Sequence, residues 1–241
     1  MFSKWRKYSY ADQKSYLSHL RLNVLKISFF VFAYIMITTI FFPTMVMQSA
    51  SMQPEIQPGD RFVFLSLNLS HFIRKFSVSE ELPYNRGDIV SLDFESSEKS
   101  LAFRIIEKIL RFATAGKIGM PGSNGRVFIK RIIALPGDEI SMKNFIMQVK
   151  PAGKNLPLTE FELAGKRLYK PDIPQVPAIW NETLPFSGSM QKLVLGEGEC
   201  FVLSDDRSNT NDSRTWGPVP LKIISGKALF RYWPLNHIGW S

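Results

Sequence analysis

Cysteine and histidine are both scarce in this chain of 241 residues. The single cysteine, Cys200, cannot form a disulfide within the chain, and its place in a short apolar run predicts a buried strand residue. Only three histidines are present, His19, His71 and His237, and none has a recognisable catalytic setting. Histidine-based nucleophilic catalysis and histidine-containing metal sites are therefore disfavoured.

Formal charge is absent from Ile27 to Pro54. The first part of this stretch is almost wholly apolar, and residues 27–47 reach the length of about 20 residues that spans a bilayer. Residues 1–26 hold six basic residues against Asp12 alone, and so supply +5 of the net charge of +9. We predict a transmembrane anchor at 27–47 behind a cytoplasmic basic segment at 1–26.

This distribution of charge favours a lipid bilayer as partner and argues against nucleic acid, because the cations lie beside the apolar stretch. The positive flank predicts that the N-terminus is inside and that residues 48–241 lie outside, on the extracytoplasmic or periplasmic side of the cytoplasmic (inner) membrane. A cleaved signal peptide is the alternative, since Ser49-Ala50-Ser51 offers small residues at a plausible cleavage site. The length of the apolar run favours the retained single-pass anchor.

Repeats of 20–50 residues are lacking. Short β-prone runs instead alternate with turns rich in Gly, Pro and Asp; they include residues 61–65, 88–92, 127–134, 201–204 and 228–233. The pattern predicts a mainly β fold, a folded antiparallel sheet or barrel-like domain after one N-terminal transmembrane helix. Residues from about 144 to 195 are rich in Pro and Gly and predict an inserted subdomain.

Residues 101–113 depart from the β pattern. Apolar side chains recur there every three or four residues, with mostly cationic residues on the other face, which predicts an amphipathic helix. Such a helix could lie on the membrane surface. A helix packed on its own domain is the alternative.

A serine and a lysine carry the predicted chemistry. Ser51 follows the anchor in Ser51-Met52-Gln53-Pro54, and Lys130 lies downstream in the apolar run from Phe128 to Ile133. A serine hydroxyl needs a neighbour to take its proton, and a lysine can do so only when neutral. Apolar neighbours lower a lysine pKa, and a lowering of about 2–3 units costs roughly 3–4 kcal/mol. Strand alternation places Lys130 on one face with Phe128 and Ile132.

Four blocks then resemble bacterial type I signal peptidases, the S26-type leader peptidases with a Ser/Lys dyad. The blocks are residues 49–60, 86–90, 128–138 and 204–217, and they stand in the family's order behind the anchor. The resemblance implies that Ser51 is the nucleophile and Lys130 the general base. It also implies that the Ser51 N–H and the Ser49 hydroxyl form the oxyanion hole, and that the Thr210 hydroxyl orients the lysine amine.

The resemblance assigns supporting roles to further residues. Asp212 and Arg214 match an ion pair behind the reacting groups. The shallow apolar pocket for a small substrate side chain falls on Met52, Ile56 and Ile129.

Several positions depart from the family pattern. Gln48 and Ala50 replace Pro and Gly near Ser49, and in the last block Ser204, Asp206, Ser208 and Thr210 replace Gly, Asn, Asp and Ser. Thr210 still offers a hydroxyl. A carboxylate at Asp206, if close to the amine, would raise the pKa of Lys130 and oppose catalysis.

The function implied is a membrane-anchored serine endopeptidase that removes signal peptides from exported preproteins, cleaving after small residues. No cofactor is expected, and Asp205, Asp206 and Asp212 do not suggest a metal site, because no histidine or further carboxylate cluster accompanies them. Two alternatives are a Ser/Lys protease that cleaves itself or one dedicated partner, and an inactive anchored homologue that binds preproteins.

Overall fold

The computed structural model describes residues 10–66, 84–94, 101–113, 127–165, 169–175 and 188–240. His71, residues 1–9 of the basic segment and parts of the predicted insertion lie outside these ranges. The helices are α1 (Tyr10–Ile40), α2 (Leu101–Ala113), α3 (Glu160–Leu163) and α4 (Ser213–Trp216). The strands are β1 (Thr44–Val46), β2 (Arg61–Ser66), β3 (Ile89–Asp93), β4 (Val127–Ala134), β5 (Glu139–Lys143), β6 (Ile146–Lys150), β7 (Leu158–Thr159), β8 (Met190–Val194), β9 (Glu199–Leu203), β10 (Val219–Pro220), β11 (Ile224–Trp233) and β12 (Gly239–Trp240).

Helix α1 contains a segment, Ser18–Thr38, that is long and apolar enough to cross a bilayer. Most of its large apolar side chains are exposed, among them Phe29, Phe30, Phe32 and Ile37. The helix ends at Ile40, earlier than the predicted anchor, because residues 44–46 pair with β2 as strand β1. It also begins at Tyr10, inside the predicted basic segment. The limits of the membrane segment stay a prediction.

The main sheet has eight strands in the order β1-β2-β11-β3-β4-β9-β10, with β12 paired to β11. All of its pairings are antiparallel. The five predicted runs correspond to β2, β3, β4, β9 and β11. The prediction of a mainly β, folded antiparallel architecture is confirmed.

A second sheet of four strands, β7-β6-β5-β8, forms a subdomain between β4 and β9. It begins at Glu139, earlier than the predicted start near residue 144, because β5 pairs with β6 and β8 rather than with the main sheet. A shared core joins the two sheets, in which Ile133 and Phe201 of the main sheet pack with Ile140 and Val149 of the second.

Two local predictions agree with the structure, and three turns share one hydrogen-bond pattern. Residues 101–113 form helix α2, which contacts α1. Cys200 is buried in β9. Asp60, Asp88 and Asp138 fix turns, because each carboxylate accepts a hydrogen bond from the backbone N–H three residues earlier.

Candidate active site

Strand β4 carries the candidate base in the interior of the main sheet. Lys130 is 2% exposed and lies opposite Val90 of β3. Phe128 and Ile132 pack in the cluster that contains Val90, whereas Ile129 packs in the cluster that contains Met52. The strand therefore has two differently packed faces, as the alternation of its side chains predicts.

The surroundings of Lys130 make its amine a usable base. Burial lowers the pKa of Lys130 from 10.5 to about 8. The charge of Asp212 opposes this lowering of the pKa, Arg214 adds to it, and Asp205 and Asp206 oppose it. Desolvation lowers the pKa of Lys130 more than the nearby carboxylates raise it, so a substantial fraction of the amine is neutral near pH 8.

The hydrogen bond of the amine goes to a residue that sequence reasoning missed. Lys130 Nζ donates to Ser204 Oγ over 2.9 Å, and both side chains are buried. Ser204 N donates in turn to Asp212 Oδ2 over 2.9 Å. The sequence did hold a signal for this contact: Ser204 stands where the family pattern has glycine, which has no side chain to make such a hydrogen bond.

Ser51 occupies a turn just before Met52 and is also 2% exposed. Its Oγ lies 3.0 Å from Ser49 Oγ, and its carbonyl oxygen accepts a hydrogen bond of 3.1 Å from Asp206 N. Within the described ranges, Ser51 Oγ bonds to Ser49 and Lys130 Nζ bonds to Ser204, with no hydrogen bond between the two. The dyad contact therefore stays a prediction.

Three contacts nevertheless hold the turn of Ser51 against strand β4 and its neighbours. Met52 and Ile129 lie in one buried cluster. Glu55 Oε2 is 3.0 Å from Arg131 Nη2. The loop after β9 bonds to both candidates, to the serine through Asp206 N and to the lysine through Ser204 Oγ.

The ion pair expected between Asp212 and Arg214 is present. Arg214 Nη2 lies 2.8 Å from Asp212 Oδ2, and Arg214 Nε lies 3.0 Å from Oδ1. Burial tends to raise the pKa of Asp212, but the hydrogen bond and charge of Arg214 outweigh it, and the pKa is lowered. Arg214 also donates to the carbonyl oxygens of Arg207 and Asn209, which fastens the loop between them.

Thr210 has a different environment from the one expected. Its carbonyl oxygen accepts hydrogen bonds from Thr215 Oγ1 at 2.6 Å and from Asp212 N at 2.8 Å. Among the residues that the structure covers, its hydroxyl makes no hydrogen bond to Lys130; the amine bonds to Ser204 instead. The orienting role of Thr210 stays a prediction.

The expected pocket residues Met52, Ile56 and Ile129 do lie together. All three belong to one buried cluster, and the most exposed of them, Ile129, is 6% exposed. They are packed in the interior, so their contact with a substrate side chain stays a prediction.

A buried ionic network, which the sequence did not reveal, lies beside Lys130. Arg131 forms two hydrogen bonds with Asp205, of 2.8 and 2.6 Å, and its guanidinium lies 4.0 Å from the centre of the Tyr169 ring. Tyr169 donates to Glu160, which also pairs with Arg207 at 2.6 Å. Since Glu160 and Tyr169 belong to the second sheet's subdomain, the network joins that subdomain to the candidate site.

Comparisons with known proteins find signal peptidases and processing peptidases among the relatives of this chain. The chain is 31% identical over 190 residues to thylakoidal processing peptidase 1, chloroplastic, of Arabidopsis thaliana, with 79% of this chain and 42% of the relative covered. It is 28% identical over 191 residues to probable signal peptidase I-2 of Synechocystis sp., with 79% and 63% covered. It is likewise 28% identical to signal peptidase I of Leptolyngbya laminosa, with 79% and 68% covered.

The chain thus spans less than two thirds of the length of the first two relatives. The family model described as signal peptidase, peptidase S26, matches residues 21–233 and includes all four blocks. Because this match covers most of the sequence, the chain belongs to the peptidase S26 family of signal peptidases.

Proposed function

We propose that this protein is a membrane-anchored serine endopeptidase that removes signal peptides from exported preproteins with a Ser51–Lys130 dyad. The observation that carries the proposal is the loop after β9, which bonds to the backbone of Ser51 through Asp206 N and to Lys130 Nζ through Ser204 Oγ. A buried serine and a buried lysine with a pKa of about 8 are thereby held by one short segment.

The proposed reaction needs only these groups and water. Ser51 Oγ attacks the scissile carbonyl carbon, and its proton passes to Lys130 Nζ. The negative oxygen of the tetrahedral intermediate accepts hydrogen bonds from the Ser51 N–H and the Ser49 hydroxyl. The intermediate collapses as Lys130 returns the proton to the leaving amine. Water then attacks the acyl ester and gives a proton to Lys130, which passes it to Ser51 Oγ as the ester bond breaks and the acid product leaves.

Location is part of the proposal. Helix α1 would cross the cytoplasmic membrane with its N-terminus inside, so that the site faces the outer surface, where the cleavage site of a signal peptide emerges. Confinement to one membrane face raises the effective concentration of enzyme and substrate for each other. The apolar residues Met52, Ile56 and Ile129 fit a preference for small substrate side chains.

The test is cleavage of purified preproteins by the full chain in detergent or nanodiscs. Ser51→Ala and Lys130→Ala should each abolish cleavage, whereas His237→Ala and Lys222→Ala, at an exposed lysine, should leave it unchanged. Retained cleavage in Lys130→Ala would rule out the proposed base.

The same purified proteins distinguish the proposed function from a self- or partner-cleaving protease and from an inactive binding protein. Cleavage of several unrelated preproteins excludes a protease with one dedicated substrate, and the Ser51→Ala chain offered as substrate to the wild type reveals self-cleavage. A serine-directed mechanism-based inhibitor should label the wild type and not Ser51→Ala. Absence of label in the wild type would favour an inactive binding protein.

A further inference from the structure

We propose that Ser204 is the positioning residue of Lys130, and that its hydroxyl, rather than that of Thr210, orients the lysine amine. This inference rests on the proposed function for its catalytic consequence. Its structural part concerns the direct hydrogen bond of 2.9 Å between Lys130 Nζ and Ser204 Oγ.

The hydroxyl of Ser204 is held in place from behind. Ser204 is 0% exposed, and its N–H donates to Asp212 Oδ2 over 2.9 Å. Asp212 is itself clamped by two hydrogen bonds from the side chain of Arg214. A partner with so little freedom fixes the direction of the lysine amine at little cost in side-chain entropy.

Orientation matters because a neutral amine has two N–H donors and one lone pair. When one N–H points at Ser204 Oγ, rotation about the last side-chain bond is restricted, and the lone pair can be directed at the Ser51 hydroxyl. A base that must accept a proton within hydrogen-bond reach gains from this restriction.

Two of the four substitutions in this block, Ser204 and Thr210, fit one explanation. Where the resemblance has glycine this chain has Ser204, and where it has the orienting serine this chain has Thr210. Thr210 is engaged through its backbone carbonyl, by Thr215 Oγ1 and Asp212 N. The hydroxyl that contacts the amine therefore stands six positions earlier in the block than the orienting serine that the resemblance implies.

The experiment compares Ser204→Ala with Thr210→Val in preprotein cleavage. Ser204→Ala should lower kcat by about 10- to 100-fold with KM nearly unchanged, the loss expected for a hydrogen bond to a catalytic group. Ser204→Thr, which keeps the hydroxyl, should recover most of kcat. Ser66→Ala, at another buried serine in β2, controls for loss of a buried hydroxyl and should have no effect.

Two outcomes overturn the proposal. The first is a larger loss of kcat in Thr210→Val than in Ser204→Ala, which would return the orienting role to Thr210. The second is a kcat for Ser204→Ala equal to that of the Ser66→Ala control. A revertant to the family pattern, Ser204→Gly with Thr210→Ser, should be more active than Ser204→Gly alone.

A second readout needs no activity and so separates this inference from the proposed function. The Lys130 amine can be titrated by NMR after isotope labelling of lysine. Ser204 accepts a hydrogen bond that favours the ammonium form, so Ser204→Ala should lower the pKa of Lys130 further. An unchanged titration curve in a folded Ser204→Ala chain overturns the positioning role even if the enzyme cleaves nothing.

Helix α2 carries a second, independent inference: we infer that its exposed apolar face lies against lipid beside α1. Ile106 is 55% and Ile109 41% exposed, while Glu107, on the same helix, is half-buried. For a helix in water this is the reverse of the expected arrangement. The side that carries the two isoleucines therefore fits an apolar surrounding.

The contact of α2 with α1 indicates that the apolar surrounding is lipid. Helix α2 contacts α1, the helix whose exposed apolar side chains include Phe29, Phe30 and Phe32. If a bilayer covers α1, the same bilayer reaches the adjoining face of α2. The sequence of α2 also has three basic residues and one acidic residue, a balance that anionic headgroups attract.

Fluorescent labels test this in nanodiscs that contain phosphatidylglycerol. Cysteines introduced as Ile106→Cys and Ile109→Cys carry the label, and Leu156→Cys, at a residue that is 74% exposed in the second sheet's subdomain, is the control. The native Cys200 is buried, and burial raises the pKa of its thiol to about 12, so it should not compete for label.

Brominated acyl chains should quench the labels at 106 and 109, and aqueous iodide should quench the control. Quenching of Ile106→Cys by iodide to the same extent as Leu156→Cys would show that α2 faces water and would overturn the inference. Protection from both quenchers would show that protein covers this face, which overturns it as well.

Discussion

Asp206 donates its backbone N–H to the carbonyl oxygen of Ser51 over 3.1 Å. This bond ties the turn of the candidate nucleophile to the loop whose Ser204 holds Lys130. The same loop therefore contacts both candidate residues, although one lies on strand β4 and the other on the turn after β1. Such shared support restricts changes in their separation, and the proposed proton transfer needs the two groups within hydrogen-bond reach.

The first prediction concerns the pH dependence of cleavage. Only the neutral amine is a base, and the pKa of Lys130 is about 8. About a tenth of the amine is neutral at pH 7 and about nine tenths at pH 9, so kcat/KM should rise roughly ten-fold over this range and then level off. A pH series with one preprotein substrate measures it. A rise with its midpoint near pH 6.5 and a plateau above it would instead indicate histidine and contradict a lysine base.

The second prediction concerns Asp206, whose charge raises the pKa of Lys130. Asp206→Asn keeps an oxygen that can accept the hydrogen bonds of Ser208, but removes the negative charge. The rising limb of the pH profile should therefore move to lower pH, and activity at pH 7 should increase. Glu197→Gln, an exposed acid of the same charge, should leave the profile in place; equal shifts in both variants would contradict a specific effect.

The third prediction separates stability from activity at Lys130. The folded pKa lies below that of the unfolded chain, so unfolding takes up a proton between pH 8 and pH 10.5. Stability of the wild type should accordingly rise with pH across that window, and below it the folded state bears the cost of a buried ammonium. Lys130→Met should abolish cleavage yet raise the free energy of unfolding at pH 7 by about 2–3 kcal/mol.

Chemical denaturation in detergent at pH 7 and pH 10 measures this change. The advantage of Lys130→Met over the wild type should shrink at pH 10, where the wild-type amine is neutral in the folded state. Lys192→Met removes a lysine whose side chain is 79% exposed, and it should change stability little at either pH. A destabilised Lys130→Met chain, or a difference independent of pH, would contradict the proposed burial cost.

The fourth prediction concerns the pair of Arg131 and Asp205, whose side chains are 3% and 1% exposed. Asp205→Asn leaves a buried guanidinium without its main counter-charge, so the free energy of unfolding should fall by about 3–5 kcal/mol. Equilibrium denaturation of the purified chain gives the value. The matched control is Glu139→Gln, which breaks an exposed pair with Lys192 and should have no measurable effect.

Much of the architecture follows from local patterns. The five β-prone runs follow from residue composition between turns, and the amphipathic helix at 101–113 follows from side-chain periodicity; both are properties of neighbouring residues. The end of α1 was not predicted, because residues 44–46 are apolar enough to continue the helix. Their pairing with β2, some 17 residues later, decides otherwise. The second sheet begins at Glu139 for the same reason, since β5 takes its partners from β6 and β8.

The sequence by itself determined the candidate chemistry: a serine after an uncharged, membrane-length segment, and a lysine in an apolar strand that lowers its pKa. Those properties depend on composition and on near neighbours along the chain. Only the tertiary structure decided that the lysine amine bonds to Ser204, and that Glu160 and Tyr169 extend an ionic network to Arg131. These contacts join residues far apart in sequence, and their geometry is set by how two sheets and a loop pack together.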